Sequence, residues 1–260
     1  MHDSPAAGEP IAWDADSLRN PHGVADKRRR VREMFAAIAG SYDINNRVHS
    51  LWLDQWWRKK AVDWAQVEPG DRVVDVACGT GDLALAFARR ACGVVGVDFT
   101  YEMLPLAAGK AQSDGFQGIR WINGDALALP LADGCCEVVS IAFGIRNVSD
   151  PAGALQEFYR VLRGGGRAVI LEFSLPRNWI LRGLYNLYFR RVLPRTATWI
   201  SGDKTGAYRY LPESVNTFIG PERMRELMGQ AGFTEVRSRA MSWGICTVYR
   251  GVKEKVERRK

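Results

Sequence analysis

Apolar and polar residues follow one another along this 260-residue chain in a regular order of short strands and amphipathic helices. Strands are predicted at 72–76, 93–98, 119–122, 135–143, 168–173, 234–242 and 245–252. Helices are predicted at 28–39, 45–67, 81–90, 101–111, 151–162 and 221–231. Several strands are nearly continuous apolar runs, which is typical of strands covered on both faces. The alternation predicts an α/β protein with a doubly wound, mostly parallel seven-stranded sheet.

Two segments depart from this alternation. Only Trp243 and Gly244 separate the last two predicted strands, which should therefore form an antiparallel hairpin. Residues 179–200 are long, aromatic and basic, and Leu181 and Leu184 lie on one side of a predicted amphipathic helix. We expect this segment to lie outside the sheet.

The pattern indicates a single domain with two additions and two tails. The domain spans 27–252, with added N-terminal helices at 27–67 and an inserted lid segment at 178–214. Residues 1–26 are rich in Pro, Gly, Asp and Ala, which predicts a mobile tail. Residues 253–260 form a basic C-terminal tail, and no run of apolar residues is long enough to predict a membrane span.

Positive charge is concentrated near the two ends of the chain. The formal net charge is +7, of which the basic run Lys27, Arg28, Arg29, Arg30 and Arg32 contributes +5 and the last eight residues +3. Such ends suit an anionic membrane surface or nucleic acid, or they serve only to keep the protein in solution. Because the body between them is nearly neutral, we expect no nucleic-acid partner.

A glycine-rich turn joins the first strand to the next helix. Asp75 ends the strand, Gly79 and Gly81 lie in the turn, and Asp82 opens the helix. The glycine spacing alone also fits a dinucleotide fingerprint. Asp82, unless it is simply a helix cap, would oppose an anionic pyrophosphate at the helix start. The positive ammonium and sulfonium of S-adenosylmethionine would instead be attracted to Asp75 and Asp82, so the sequence favours that cofactor.

Two more carboxylates follow predicted strands. Asp98 ends the second strand, where a carboxylate can accept hydrogen bonds from both ribose hydroxyls. Asp125 follows the third strand and can accept from an adenine amino group, although it also fits an Asx turn. Of the three histidines, His2 and His22 lie in the predicted tail, so no metal site is expected.

These residues resemble the class I methyltransferase pattern, and the full set resembles the ubiquinone/menaquinone biosynthesis C-methyltransferase family. The resemblance extends over about 31–252 and rests on Ser41-Tyr42-Asp43, the loop 75–82, Asp98-Phe99, Gly124-Asp125-Ala126, the segments 143–148 and 171–174, and the segment 210–214. Phe-Gly-Ile-Arg-Asn-Val at 143–148 is its most specific part. The resemblance implies a Rossmann-like fold, S-adenosyl-L-methionine as cofactor, and methylation of a ring carbon of a polyprenylated quinol, with demethylmenaquinol as the first choice.

The resemblance also assigns cofactor contacts. Together with the loop residues, the expected set is Asp75, Gly79, Thr80, Gly81, Asp98, Phe99, Asp125, Ala126 and Ala142. Ala142 stands where several members have a serine, so one hydroxyl contact is missing here. A second departure is Asp54, where relatives often carry a histidine, so no role of that histidine is transferred.

Four residues are candidates for the chemical step. Arg146 and Asn147 follow the fourth strand at the carboxyl edge of the sheet, where doubly wound sheets bind ligands. A guanidinium stays protonated, so Arg146 would stabilise a quinolate oxygen or position a water, unless it is only a loop salt bridge. Asn147 and Tyr42 would hydrogen-bond the quinol oxygens. His49, the only histidine beyond the predicted tail, is a candidate base.

The isoprenoid tail of such a substrate needs an apolar path from the membrane. We expect 179–200 and the Trp-rich helix at 45–67 to form a lid or a membrane-facing groove, unless they pack on one another as core. This predicts a cytoplasmic protein bound peripherally to the inner face of the membrane, acting as a homodimer or beside other quinone-biosynthesis enzymes. A methyltransferase for another lipid or small molecule remains an alternative, and a nicotinamide oxidoreductase a weaker one.

Overall fold

The computed structural model of the protein describes residues 11–90 and 93–255, and its sheet has seven strands in the order β3-β2-β1-β4-β5-β7-β6. The strands are β1 (Arg72–Val76), β2 (Gly93–Asp98), β3 (Arg120–Asn123), β4 (Cys136–Ala142), β5 (Leu162–Phe173), β6 (Thr234–Met241) and β7 (Cys246–Val252). Strands β1 to β5 pair in parallel, and β7 pairs antiparallel with both β5 and β6. The predicted doubly wound sheet and its terminal hairpin are confirmed.

Helices cover both faces of this sheet. In chain order they are α1 (Lys27–Ile38), α2 (Tyr42–Ser50), α3 (Leu53–Ala65), α4 (Asp82–Ala88), α5 (Met103–Ser113), α6 (Pro151–Val161), α7 (Trp179–Leu187), α8 (Leu193–Ser201), α9 (Ala207–Asn216) and α10 (Pro221–Gln230). One core cluster joins Trp57 of α3 and Phe87 of α4 to the sheet, and a second joins Phe158 of α6 and Met228 of α10 to it. None of the helices in the described part of the chain has both the length and the apolar character needed to cross a bilayer.

The helix predicted at 45–67 is broken in the structure. Leu51 and Trp52 adopt left-handed conformations, with φ of 51° and 64°. The N–H of Trp52 donates to the carbonyl of Arg47 at 3.1 Å, which ends α2 in a left-handed cap. Because neither glycine nor proline lies at this turn, the helix boundary could not be predicted from the sequence.

The N-terminal segment packs against the body over its described part, 11–26, where a mobile tail was expected. Trp13 is fully buried, and its ring lies 4.3 Å from that of Tyr210, centroid to centroid. The backbone N–H of Trp13 also donates to the carbonyl of Thr205 at 2.8 Å. Residues 1–10 of that predicted tail lie outside the described residues, as do 256–260 of the C-terminal one.

The predicted helix at 179–200 is also interrupted. A π-helical turn, Tyr188–Val192, joins α7 to α8. Helices α1, α8 and α9 and the N-terminal segment share a third core cluster that includes Trp13, Met34 and Leu193. These elements form a separate layer beside the carboxyl ends of the strands, where they bound the candidate site.

Candidate active site

Six predicted cofactor residues line one cavity at the carboxyl edge of β1, β2 and β4. This cofactor cavity has a volume of about 110 Å³, and its wall includes Gly79, Asp98, Phe99, Asp125, Ala126 and Ala142. The order of the strands reverses between β1 and β4, which is where doubly wound sheets bind ligands. Positions that are scattered along the sequence thus form one concave surface.

Asp98 holds the glycine loop in place. Its Oδ2 accepts a hydrogen bond from the backbone N–H of Gly79 at 2.7 Å, and its Oδ1 accepts from that of Thr100 at 2.8 Å. Burial raises the pKa of this carboxyl to about 6, although these hydrogen bonds oppose the shift. Each oxygen keeps a further lone pair. Asp98 can therefore accept from ribose hydroxyls while it fixes the loop.

Asp75 presents an unsatisfied carboxylate oxygen beside the loop. Its Oδ1 accepts from the Oγ of Ser140 at 2.8 Å, whereas its buried Oδ2 has no hydrogen-bond partner among the described residues. Asp75 lines a small cavity of about 20 Å³ together with Thr80 and Gly79. Burial raises the pKa of Asp75 to about 7. An unpartnered buried carboxylate is costly in free energy. The cationic part of S-adenosylmethionine could supply the missing partner.

Asp82 is already ion-paired within the protein. Its carboxylate is bound by Arg47 and by Lys110, each at 2.9 Å. Burial alone would raise the pKa of Asp82, but the positive charges of Arg58, Lys110 and Arg47 outweigh that effect and lower it to about 2. Asp82 lines the same small cavity as Asp75, and its attraction for the cofactor stays a prediction.

Thr80 and Gly81 also have protein partners. The Oγ1 of Thr80 donates to Oδ1 of Asp43 at 2.6 Å, which connects the loop to α2. Gly81 has φ of +85°, and a Cβ added there would lie 2.8 Å from Cη2 of Trp121. Only glycine satisfies both conditions. Gly81 lines neither the cofactor cavity nor its small neighbour as described, and the absence of a side chain lets the loop approach Trp121.

Helix α1 covers the cofactor cavity. A guanidinium nitrogen of Arg28 lies 2.6 Å from Oδ2 of Asp125, and the Arg28 guanidinium carbon lies 4.6 Å from the centroid of the Phe99 ring. Oδ1 of Asp125 accepts from the backbone N–H of Leu127 at 3.0 Å, as in an Asx turn. Both oxygens of Asp125 thus have protein partners, and its contact with adenine stays a prediction.

Two of the five side chains in the basic run face the protein. Lys27 is buried, and its Nζ donates to the carbonyls of Arg146 at 2.9 Å and Val148 at 2.7 Å. Burial and the charge of Arg146 lower the pKa of Lys27 to about 8. Arg30 is paired with Asp26, the residue before α1, at 2.9 Å. Arg28, Arg29 and Arg32 are exposed, and contact of this run with an anionic surface stays a prediction.

A larger cavity of about 520 Å³ lies against the same loops. The wall of this apolar cavity is mostly aliphatic and aromatic and includes Met34, Ile38, Phe173, Leu184, Phe189 and Leu193. Three residues, Phe35, Tyr42 and Phe143, line both it and the cofactor cavity. The two cavities are therefore adjacent at these three residues.

Arg146 lines the apolar cavity from within a buried ion pair. Its Nη1 donates to Oε1 of Glu172 and to the carbonyl of Phe143, both at 2.6 Å, and its Nε donates to Oγ of Ser214 at 3.3 Å. Burial opposes its charge, but Glu172 raises the pKa of Arg146 overall, so the guanidinium stays charged. Glu172 is not part of the described cavity wall, so the cavity faces the cation.

Asn147 and Tyr42 differ in what they offer a ligand. Oδ1 of Asn147 accepts from the Tyr210 hydroxyl at 2.8 Å, and its Nδ2 donates to the carbonyl of Phe143 at 3.3 Å. Asn147 lines the cofactor cavity and not the described wall of the apolar one. Tyr42 lines both, and burial raises the pKa of its hydroxyl, which therefore remains a donor.

His49 also lines the apolar cavity. Its Nδ1 lies 3.0 Å from the hydroxyl of Tyr188, and its Nε2 is buried without a partner in the described structure. Burial lowers the pKa of His49, so the ring is neutral at pH 7. A neutral imidazole has one nitrogen that accepts a proton. The structure thus places Tyr42, His49 and Arg146 in one wall and leaves Asn147 outside it.

Sequence reasoning missed the polar face of α2. Five residues of this helix line the apolar cavity at the spacing of one helical face: Tyr42, Asn45, Asn46, His49 and Ser50. Three apolar residues of the same region face solvent, with exposed fractions of 58% for Ile44, 48% for Val48 and 80% for Leu51. The helical spacing of these polar and apolar residues is visible in the sequence. The apolar stripe of a helix is ordinarily assigned to the core, so the polar face was expected to face solvent.

Comparison with known proteins decides the family. A family model described as the ubiE/COQ5 methyltransferase family matches residues 23–253. The chain belongs to this family. It is 47% identical to a demethylmenaquinone methyltransferase of Thermus thermophilus over 84% of this chain and 99% of that protein. It is 43% identical to a ubiquinone/menaquinone biosynthesis C-methyltransferase UbiE of Geobacter sulfurreducens, over 88% of this chain and 91% of that one.

Solved structures agree on the fold. A methyltransferase of Thermotoga maritima, described as a possible histamine N-methyltransferase, superposes with a TM-score of 0.62 at 22% identity, covering 86% of this chain and all of that one. This member of the ubiE/COQ5 family is thus a class I methyltransferase that uses S-adenosylmethionine, as predicted. The nicotinamide oxidoreductase alternative is wrong.

Proposed function

We propose that this ubiE/COQ5 family member methylates a ring carbon of a polyprenylated quinol, with demethylmenaquinol as its substrate. The observation that carries this proposal is the wall shared by the two cavities, formed by Phe35, Tyr42 and Phe143. It permits a large apolar ligand to lie against a separately bound cofactor. The names of the relatives from Thermus thermophilus and Deinococcus radiodurans support the choice of ring, since both are called demethylmenaquinone methyltransferases.

The carboxylates beside the cofactor cavity support S-adenosylmethionine as its ligand. Asp98 would accept from the ribose hydroxyls, Asp125 would lie near the adenine, and Asp75 would receive the positively charged end of the molecule. When bound, the cofactor supplies an electrophilic methyl group. The protein's own contribution is alignment, because holding donor and acceptor in line removes much of the entropic barrier.

Arg146 and His49 would act on the ring hydroxyl. The ring carbon becomes more nucleophilic as an adjacent hydroxyl loses its proton. The guanidinium of Arg146 favours the resulting oxygen anion, and its hydrogen bonds to Glu172 and to the Phe143 carbonyl fix its position. The neutral Nε2 of His49 can accept the hydroxyl proton, and Tyr42 can donate a hydrogen bond to a ring oxygen. The methylated ring carbon must then lose its own hydrogen as a proton, which restores the aromatic ring.

The mouth of the apolar cavity provides the contact that we propose with the membrane. Leu51 and Trp243 belong to its wall and are 80% and 81% exposed. Trp179 and Trp199, in the lid helices, are 80% and 87% exposed. Large exposed apolar patches mark interaction surfaces, and tryptophan is favoured at the bilayer interface. We infer peripheral binding through this rim, which would let a prenyl tail enter without crossing water.

A methyl-transfer assay tests the proposal. The protein is incubated anaerobically with labelled S-adenosylmethionine and either demethylmenaquinol or the demethylated benzoquinol, in detergent micelles. We expect methylated naphthoquinol as the main product. A preference for the benzoquinol would correct the ring. Binding of the cofactor with no methylation of either quinol would instead favour the alternative, a different lipid or small molecule.

A further inference from the structure

Four residues in the wall of the apolar cavity have a buried polar atom without a hydrogen-bond partner in the described structure. The atoms are Oδ1 of Asn45, Nε2 of His49 and the hydroxyls of Tyr185 and Tyr208. Buried polar groups in folded proteins are almost always paired, so unpaired ones that share a cavity wall indicate the binding partners of a ligand. The two hydroxyls can donate or accept, so the character of the ligand depends on Asn45 and His49.

Asn45 contributes a hydrogen-bond acceptor. The residue is 2% exposed, and its Nδ2 donates to the carbonyl of Ser41 at 3.2 Å. That bond determines which end of the amide is engaged, and it leaves the carbonyl oxygen without a partner among the described residues. An amide oxygen can only accept.

His49 contributes a second acceptor one helical turn further along. Asn45 and His49 are four residues apart in α2, so both side chains lie on one face of the helix. Nδ1 of His49 is engaged by the hydroxyl of Tyr188 at 3.0 Å. When Nδ1 carries the proton and donates to Tyr188, Nε2 is an acceptor. The ring is neutral because burial lowers the pKa of His49.

We propose that Asn45 and His49 form an acceptor pair that selects the reduced, quinol form of the substrate over the oxidised quinone. A quinol ring carries hydroxyls, which donate to such acceptors. A quinone carries only carbonyl oxygens, which would lie against Asn45 Oδ1 and His49 Nε2 with no proton to share. Loss of a matching donor leaves buried groups unpaired, and this gives strong discrimination between close analogues.

This selection has a chemical purpose and rests on the proposed function. An electrophilic methyl group reacts with an electron-rich quinol carbon and not with an electron-poor quinone. A quinone that filled the apolar cavity would be a dead-end inhibitor. Tyr185 supplies an internal comparison, because a hydroxyl both donates and accepts and therefore suits either form.

Binding of the two oxidation states tests the pair. The probes are a naphthoquinol with one prenyl group, kept reduced under nitrogen, and the corresponding naphthoquinone. S-adenosylhomocysteine saturates the cofactor site so that no methyl transfer occurs. Dissociation constants are measured by calorimetry for the parent and for Asn45→Leu, His49→Phe and Tyr185→Phe, and folding of each is checked by circular dichroism.

The parent should bind the quinol at least about tenfold more tightly than the quinone, as expected when a single hydrogen bond is lost. Asn45→Leu and His49→Phe should each bring this ratio close to one, mainly by weakening the quinol. Tyr185→Phe should weaken both forms without changing the ratio. A ratio that is unchanged in both folded α2 variants, or near one in the parent, overturns the inference even if the quinol is methylated. Failure of the parent to bind either form overturns the proposed substrate as well.

Discussion

In helix α6 the apolar residues face the sheet, whereas in helix α2 they face solvent. The buried residues of α6 are Ala154, Leu155, Phe158 and Val161, and they belong to the core cluster shared with α10. In α2 the fully buried side chain is that of Asn45, and Ile44 and Val48 are exposed. The same 3.6-residue period thus buries the apolar face in α6 and the polar face in α2. A helix over a sheet buries its apolar stripe, whereas a helix beside a ligand cavity can direct polar groups inward.

The largest expected difference between the two helices is in stability. Phe158→Ala should lower the free energy of unfolding by about 3–5 kcal/mol, because it opens a cavity in the core. Val48→Ser should change it by no more than about 0.5 kcal/mol, because that side chain is already exposed to water. Urea titration followed by circular dichroism measures both. Comparable losses would mean that the outer face of α2 is packed, and the comparison would fail.

The chemical step should depend on a residue facing the cavity. Arg146→Lys keeps the charge but cannot hold Glu172, Ser214 and the Phe143 carbonyl at once. We expect kcat to fall by about 10²–10³-fold, while the affinity for the cofactor stays nearly unchanged. Losses of this size follow when an enzyme loses one positioned hydrogen-bond donor to an oxyanion that forms in the transition state.

Arg160→Lys is the matched control, because Arg160 of α6 also forms ion pairs, with Asp133 and Glu157, but lines neither described cavity. Its kcat should equal that of the parent. If Arg146→Lys weakened cofactor binding and turned over normally at saturation, Arg146 would belong to the cofactor cavity.

Cofactor affinity should depend on pH through Asp75. Its pKa of about 7 means that the carboxyl is ionised above that pH and neutral below it. Affinity for the cationic cofactor should fall by up to about tenfold from pH 8 to pH 6, and binding near neutral pH should release protons. Calorimetry in two buffers measures both quantities.

Asp75→Asn should remove most of this dependence and leave the smaller part due to Asp98, whose pKa is about 6. Folding stability should change in the opposite sense. The folded state holds the Asp75 proton more tightly than the unfolded chain, so the contribution of Asp75 to stability falls as pH rises towards 7. An affinity that is flat with pH in the parent would exclude Asp75 from the cofactor site.

The smallest expected effect concerns the exposed rim. The double variant Leu51→Ser, Trp243→Ser should reduce co-sedimentation with neutral phosphatidylcholine vesicles by roughly threefold to tenfold, because less apolar surface enters the interface. Replacing Arg29 and Arg32 with Gln should have no effect on neutral vesicles. If only the arginine variant lost binding, and only with anionic lipid, the contact would be electrostatic and the rim would not take part in it.

The sequence predicted the sheet better than the layer beside it. Most strand bounds, the terminal hairpin and the glycine turn follow local rules, and the family pattern led to Asp98 and Arg146. Strand β5 begins at Leu162, six residues before its predicted start. The break at Leu51 and Trp52 could not be predicted, because it depends on tertiary packing and not on a turn residue. The partners of Asp82 come from α2 and α5. These helices are far from Asp82 in the sequence, so the ion pairs could not be predicted from sequence patterns.

The place of β7 in the sheet has a consequence for synthesis. Strand β5 pairs with β4 on one side and with β7 on the other, and β7 follows it in the chain by more than seventy residues. While the ribosome adds those residues, at about 5–20 per second, the second edge of an apolar strand stays open. Unpaired edges of this kind attract other chains. The nascent protein therefore passes through an interval of several seconds in which a chaperone on the edge of β5 would protect it from aggregation.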